Sequence, residues 1–384
     1  MPAMTDLEPL LTLWHELHAT AAEYVLATVV AVEGSGYRKP GAMMLISSDG
    51  RRAGTISGGC LEGEVAKKAF WHTTNGPVVR TYSTAADDGD VPFGMGCGGV
   101  VHLLLERSNS ASLMLEKLQE QYLRREPLAI ATVLDGDATG SRVCWTRDQL
   151  SSDDFELESL ARVSFVEQSS SSTRLVAKDG KSSRVRLEFF AARPGLFVFG
   201  AGDDAFPLVR QARELGWYVV LADGRSHLAT QVRFPNAHEV HVTPANAPFP
   251  LQVKPMDAAA VMTHSLEQDT YFVSELLNQR LCYLGVLGPR RRTAGILEAI
   301  VQGTPASEGA ESLDPALSLA HVHAPMGLDL GGDTPSEIAL SVIAEIQKRL
   351  RGGSGKALRE LSRRVAEMPP IPGSPVAAPQ SRTC

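Results

Sequence analysis

Nowhere in the 384 residues do eighteen apolar side chains run together, so no segment is long enough to cross a bilayer as a helix. Blocks of like charge are also missing. The 37 basic and 44 acidic residues are interspersed to a net charge of −7, which leaves no basic stripe for gripping nucleic acid. Cysteine is scarce: Cys60, Cys97, Cys144, Cys282 and Cys384 are odd in number, widely separated and never arranged as CxxC. That excludes a disulfide framework and a ribbon-type zinc site. The first residues place Asp6 and Glu8 where a secretory leader would be basic. The expectation is a cytoplasmic protein with neither a membrane nor a nucleic-acid partner.

What is present is an alternation of strand and helix patterns. A helix-spaced stretch near residues 6–22 precedes the β-rich run Tyr24–Val32, and two short strands flank the Asp49-Gly50 turn. Further strands are predicted at 78–83, 99–106, 128–134 and 143–146, with helices at 61–71 and 111–124. Residues 1–147 therefore read as one α+β domain. Residues 148–192 turn rich in Ser, Asp and Glu, including the serines 169–172, and read as a polar connection or hairpin. After Arg193-Pro-Gly195, the unbroken apolar strand Leu196–Phe199 marks a sheet covered on both faces. Strands at 217–222, 258–263, 283–287 and 320–323 follow, so residues 193–350 form a Rossmann-like, doubly wound parallel-sheet domain. The fold class is α/β. Residues 351–384, ending in a Pro-rich stretch, read as a disordered tail.

Phe199 leads into Gly200-Ala-Gly202-Asp-Asp-Ala205, a GxGxxA pattern between a strand and a helix. Gly200 permits the tight turn, Gly202 the approach of a phosphate, and Ala205 close packing of helix on strand. Asp223, at the end of the next strand, stands where an acidic side chain accepts hydrogen bonds from a ribose. NAD(P) is thus a candidate cofactor, although Asp203 and Asp204 put negative charge where a pyrophosphate would lie. Arg290, opening Arg290-Arg-Arg292 at a strand end, is a candidate phosphate ligand. His264, at another strand end, is a weak candidate acid or base. His321 and His323 share one strand face without a third ligand, so they read as structural. Thr334-Pro-Ser-Glu337 reads as a capping box.

Two cysteines sit in glycine settings. Cys60 follows Gly58-Gly59 where a strand passes to a helix, and a helix start stabilises a thiolate. Cys97 lies in Gly94-Met-Gly-Cys-Gly-Gly99, where backbone can approach a bulky ligand. Cys144, Cys282 and Cys384 carry no such context.

Six segments in order then carry a resemblance: Gly34-Ser-Gly-Tyr-Arg-Lys-Pro-Gly41, Gly54-Thr-Ile-Ser-Gly-Gly-Cys-Leu-Glu62, Gly94–Gly99, Gly200-Ala-Gly202, Gly285–Thr293 and His323–Gly331. Over nearly its full length the chain resembles the XdhC/CoxI-type accessory factors that mature xanthine dehydrogenase and related molybdenum hydroxylases. The resemblance implies a non-catalytic chaperone that binds molybdenum cofactor (molybdopterin), assists its sulfuration and inserts it into a xanthine dehydrogenase-like hydroxylase. A cysteine desulfurase or sulfurtransferase is an implied partner, and a homo-oligomer the implied state. Cys60 and Cys97 are then the candidate molybdenum contacts, with Gly58, Gly59, Arg38 and Lys39 receiving the pterin and its phosphate. The competing reading is an NAD(P)-dependent oxidoreductase using Gly200, Gly202, Asp223 and His264. It accounts only for the second half of the chain. A docking scaffold whose fold outlived its ligands is the third.

Overall fold

The computed structural model describes residues 7–34, 37–59, 61–83, 99–148, 154–176, 182–244, 251–277, 279–303 and 322–361. In chain order the elements are α1 (Glu8–Ala19), β1 (Tyr24–Glu33), β2 (Met43–Ser47), β3 (Arg52–Gly54), α2 (Glu62–His72), β4 (Val78–Ser83), β5 (Val100–Arg107) and α3 (Ser108–Arg124). Strands β6 (Leu128–Val133) and β7 (Arg142–Trp145), α4 (Phe155–Glu167), β8 (Ser171–Val176) and β9 (Ser182–Phe190) follow.

β1 to β5 form an antiparallel sheet in the order β3-β2-β1-β5-β4. Successive β1 side chains point to opposite faces, and both faces are covered. Tyr24 and Leu26 pack under α1 and α3 with Leu10, Trp14 and Leu118, whereas Val25, Ala27 and Val29 pack under α2 with Val65 and Ala69. This double cover explains why β1 reads as a continuous apolar run rather than an alternating one.

The sequence predicts a single α+β domain through residue 147, but the sheets divide differently. β6 and β7 leave the first sheet and join β8 and β9 in a separate four-stranded sheet, ordered β7-β6-β9-β8. The stretch expected as a polar connection or hairpin does contain the β8–β9 hairpin, together with a helix that composition concealed. Asp154 caps α4 by accepting the Leu157 N–H at 3.1 Å, and Leu157 and Ala161 pack on Val133, Val143 and Val185. In β9, Val185, Leu187 and Phe189 alternate with Arg184, Arg186 and Glu188, so the pleat makes half of the strand polar. Composition averages over that alternation.

The second half alternates β10 (Gly195–Phe199), α5 (Ala205–Glu214), β11 (Tyr218–Asp223), β12 (Glu239–Val242), β13 (Ala258–Val261), α6 (Leu266–Leu277), β14 (Tyr283–Val286), α7 (Arg290–Gly303), β15 (Val322–His323) and α8 (Pro335–Arg351). Its six parallel strands run β12-β11-β10-β13-β14-β15, which is the order 3-2-1-4-5-6 of dinucleotide-binding folds. Leu196 and Val198 face α5 and α8 while Phe197 and Phe199 face α6 and α7, so the sheet is sandwiched as β10 predicts. β12 escapes the sequence reading because four half-polar residues make a weak edge-strand signal. The Thr334 capping box is formed, with the Thr334 hydroxyl accepting the Glu337 N–H and Glu337 accepting the Thr334 N–H. The Pro-rich end lies outside the described residues.

Buried charge braces the halves. Asp257, fully buried before β13, accepts from Arg125 at the end of α3 and from the N–H groups of Gly195 and Lys254 at 2.8 and 2.7 Å. Lys254 in turn pairs with Glu126 at 2.7 Å. Among the described residues, no helix is long and apolar enough to cross a membrane.

Candidate functional site

Two of the glycine segments meet in the N-terminal half. The loop after β1 is pinned to that strand, with the Gly41 N–H donating to the Val29 carbonyl at 2.7 Å and the Val29 N–H to the Ala42 carbonyl at 2.8 Å. The loop after β3 folds back onto the start of α2. Glu62 accepts from the Ile56 N–H (3.2 Å), the Ser57 N–H (2.8 Å) and the Ser57 hydroxyl (2.5 Å), and that hydroxyl accepts the Gly59 and Leu61 N–H groups. Burial alone would raise the Glu62 pKa, but the donors from Ser57 and Ile56 outweigh it and hold the carboxyl below its usual value. Gly59 takes φ +113°, a conformation that side chains disfavour.

A Cβ at Gly58 would lie 3.3 Å from the Tyr37 ring, so the ring lies against the second loop and joins it to Arg38 and Lys39. The structure thus sets the loop that carries Arg38 and Lys39 against Gly58, through Tyr37. Cys60 and Cys97 lie outside the described residues, and among those that are described no cluster of three or more His, Cys, Asp or Glu forms a metal site.

Beside Tyr37, Arg38 and Lys39 opens a cavity of about 700 Å³, floored by Gly54 and Thr55. Its far wall is built from the start of α1 and the end of α5. There Arg213 grips Glu8 with both guanidinium nitrogens, at 2.5 and 2.8 Å, and Arg193 stands 3.7 Å from the same carboxylate. The His238 Nε2 lies 2.6 Å from Arg213 and 2.8 Å from Arg193, while its Nδ1 accepts the Val219 N–H. Burial first, and then the two arginines, push the His238 pKa down from 6.5 to about 4. Sequence reasoning missed Tyr37, Glu62, Glu8, Arg193 and Arg213. Glu62 was foreseeable as a carboxylate at a helix start, whereas Glu8 and Arg213 are 205 residues apart and leave no local trace.

The Rossmann loop has a different character. Gly200, at φ +130°, lies so close to β13 that a Cβ would sit 2.7 Å from the Met262 carbonyl oxygen. Its neighbours are then tied inward. Asp223, fully buried, directs its carboxylate at the Ala201 N–H (2.7 Å) and at three donors of Arg225 (2.7 to 3.0 Å). Arg233 stacks on Phe206 and Phe234, donates to the Ala201 carbonyl and pairs with Asp203 at 2.7 Å. The Asp204 Oδ1 leans over Gly202, 2.5 Å from where a Cβ would stand, and the exposed His264 places Nε2 3.4 Å from the same point. The space through which a pyrophosphate approaches Gly202 holds a carboxylate, and the ribose acceptor is already engaged. In this arrangement the residues do not fit NAD(P) in its usual pose.

Arg290 is exposed at the start of α7, and its neighbour Arg292 has the fixed role, donating to Asp269 at 2.7 and 3.1 Å and to the Thr263 carbonyl. The Glu345 carboxylate accepts from His323 Nδ1 at 2.9 Å, and the His323 ring stacks on Tyr283, in keeping with a structural histidine. His321 lies outside the described residues. The two glycine systems do not share a site: α5 begins at the Rossmann loop and ends at the cavity, so its ten residues, about 15 Å of helix, separate them.

A doubly wound sheet carrying an ion-paired glycine loop, joined to an antiparallel α+β half with a cationic cavity, defines a two-part α/β protein. Comparison with known proteins gives that class its place. Residues 17–83 match the model of the XdhC and CoxI family, and residues 196–346 match that of the XdhC Rossmann domain. The chain is 31% identical over 332 residues to a Bacillus subtilis protein named as a probable xanthine dehydrogenase subunit, covering 84% of this chain and 92% of that protein. It is 32% identical over 108 residues to the molybdenum cofactor insertion chaperone PaoD of Escherichia coli, covering 28% of this chain and 33% of that protein. A crystal structure described as a xanthine dehydrogenase from Bacillus halodurans is similar at a TM-score of 0.67 and 25% identity, covering 91% of this chain and 98% of that one. The chain belongs to the XdhC and CoxI family.

Proposed function

We propose that this protein is an accessory factor that holds molybdenum cofactor in the cavity beside Tyr37, Arg38 and Lys39 and inserts it into a xanthine dehydrogenase-type hydroxylase. The observation that carries the reading is the meeting of the Tyr37–Lys39 loop with Gly54 and Thr55, the start of the second glycine segment, at a cavity of about 700 Å³, a volume suited to a small cofactor. Arg38 and Lys39 supply the charge that a pterin phosphate needs, and the Tyr37 ring supplies an apolar face. Gly59 delivers the chain into Cys60, whose thiolate, with that of Cys97, suits soft molybdenum and sulfur chemistry. The names borne by the Bacillus subtilis and Escherichia coli relatives support the same partner class. Assistance to sulfuration, a sulfur-donating partner and self-association are finer parts of the reading, as is a cytoplasmic location.

The test is the molybdenum and pterin content of full-length protein purified from a molybdenum-replete host. Wild type should retain both, and Cys60→Ser combined with Cys97→Ser should lower retention and the activation of apo-hydroxylase. Unchanged activation by the double variant removes the cysteines from the assignment, and wild type free of pterin removes the assignment itself.

A further inference from the structure

The far wall of the cavity contains a charge arrangement that Tyr37, Arg38, Lys39 and the cysteines leave unexplained. Arg193 is 4% exposed by side chain and is locked by donation to the Gly216 and Trp217 carbonyls and by the Tyr122 ring 4.4 Å away. Arg213 reaches the same point from α5. Among the described residues the acidic partner of both is Glu8, from the first turn of α1. Two arginines therefore converge on a single carboxylate, with His238 Nε2 against both of them; Glu8 and Arg213 line the cavity and Arg193 stands behind them. A buried guanidinium demands an anion, because an unpaired charge out of water is costly. The two-pronged geometry by which Arg213 holds Glu8 is equally that by which arginine holds a phosphate. Glu8 is one-third exposed, so it can leave the pair for solvent, whereas Arg193 cannot.

We propose that Arg213 and Arg193 form an anion subsite for the ligand's phosphate, and that Glu8 is a built-in competitor occupying it until the ligand arrives. The inference rests on the cofactor-holding reading and adds to it. Because Glu8 belongs to α1 and Arg213 to α5, filling the subsite also exchanges a contact between the two halves for one with the ligand.

The experiment compares full-length wild type with Glu8→Gln, Arg213→Gln, Arg213→Lys and Glu16→Gln. The last removes the same charge from the same helix, where Glu16 pairs with the exposed Arg51. Two probes are used: pterin retained on purification, read by fluorescence after oxidation, and inorganic phosphate, read as a rise in thermal midpoint. Glu8→Gln should retain several-fold more pterin than wild type and gain more stability from phosphate. Arg213→Gln should lose about tenfold in retention, and Arg213→Lys should fall between, having charge without the fork. Glu8→Gln behaving like Glu16→Gln, or Arg213→Gln retaining as much pterin as wild type, overturns the proposal. Should no variant or wild type hold pterin, the functional reading fails. The phosphate arm then decides the subsite alone, for which an unshifted Glu8→Gln midpoint is fatal.

Discussion

The two glycine-rich loop systems of this chain obey the same local rule and finish in opposite conditions. In each, glycine lets a strand turn tightly into a helix, and a carboxylate gathers the loop's N–H groups: Glu62 in the N-terminal half and Asp223 in the Rossmann half. In the N-terminal half an open cavity with cations at its edge lies beside Tyr37–Gly41 and Gly54–Thr55. Around Gly200 and Gly202, Arg225, Arg233 and Asp204 close the space from within. A glycine fingerprint thus specifies a backbone path, and the side chains around it, from Asp204 within the loop to Arg225 and Arg233 beyond the next strand, decide whether a ligand can use it.

Stability and binding should separate between the two systems. The largest effect is expected at neither loop but at the brace between the halves. Asp257→Ala leaves Arg125 buried without its partner and orphans two backbone N–H groups, so unfolding free energy should fall by about 3–5 kcal/mol in a denaturant titration. Next is Asp223→Ala, which frees the Ala201 N–H and Arg225. A loss of about 2–3 kcal/mol is expected with pterin retention per folded molecule unchanged. Retention falling in step with stability would merge the two loop systems into one site. The reverse behaviour is expected of Arg38→Gln combined with Lys39→Gln: retention about tenfold lower, with stability within about 0.5 kcal/mol of wild type.

Acid should act on the cavity wall. His238 is surrounded by Arg193, Arg213, the Val219 N–H, the Tyr218 ring and, opposing them, Glu8. Its folded pKa of about 4 lies below the unfolded 6.5, so the unfolded chain binds the extra proton first as pH falls. The stability contributed by neutral His238 is complete above pH 6.5 and declines toward pH 4. Allowing for solvent screening at a partly exposed ring, the loss is about 1–2 kcal/mol. His238→Gln should flatten that part of the stability profile. A profile that keeps its slope assigns the acid sensitivity to another group.

Much of the fold was written in local pattern. β1 and β10 are apolar at every inward position because both faces are covered, and the Thr334 box is a self-contained motif. The Arg38 and Gly58 loops were legible as two glycine segments, but not their contact through the Tyr37 ring. What was hidden is of two kinds. α4, and which of connection or hairpin the stretch forms, were obscured because the pleat and helix period place polar residues between buried ones, and an average over the stretch sees only Ser, Asp and Glu. Glu8 with Arg213, and Asp257 with Arg125, are 205 and 132 residues apart, so nothing local announces them. The partners of Asp223 are another matter, one of them only two residues away. Its position was right for a ribose, but Arg225 and the Ala201 N–H reach it first.

The smallest effect is the one that probes the contrast most directly. The Asp204 Oδ1 overhangs Gly202 where a pyrophosphate would pass, and a phosphate brought there meets a like charge. Wild type should accordingly show no thermal shift with NADH or NADPH at millimolar concentration. Asp204→Gly removes the carboxylate and its overhang while leaving the β10 turn and the start of α5 intact. A weak shift of about 1–2 °C should then appear with a dinucleotide at several times its dissociation constant. Asp223 would still be held by Arg225, so affinity should remain poor until both are changed. A clear shift in wild type would mean that Asp204 and Arg225 swing aside on binding, and the Rossmann loop would then be as open as its N-terminal counterpart.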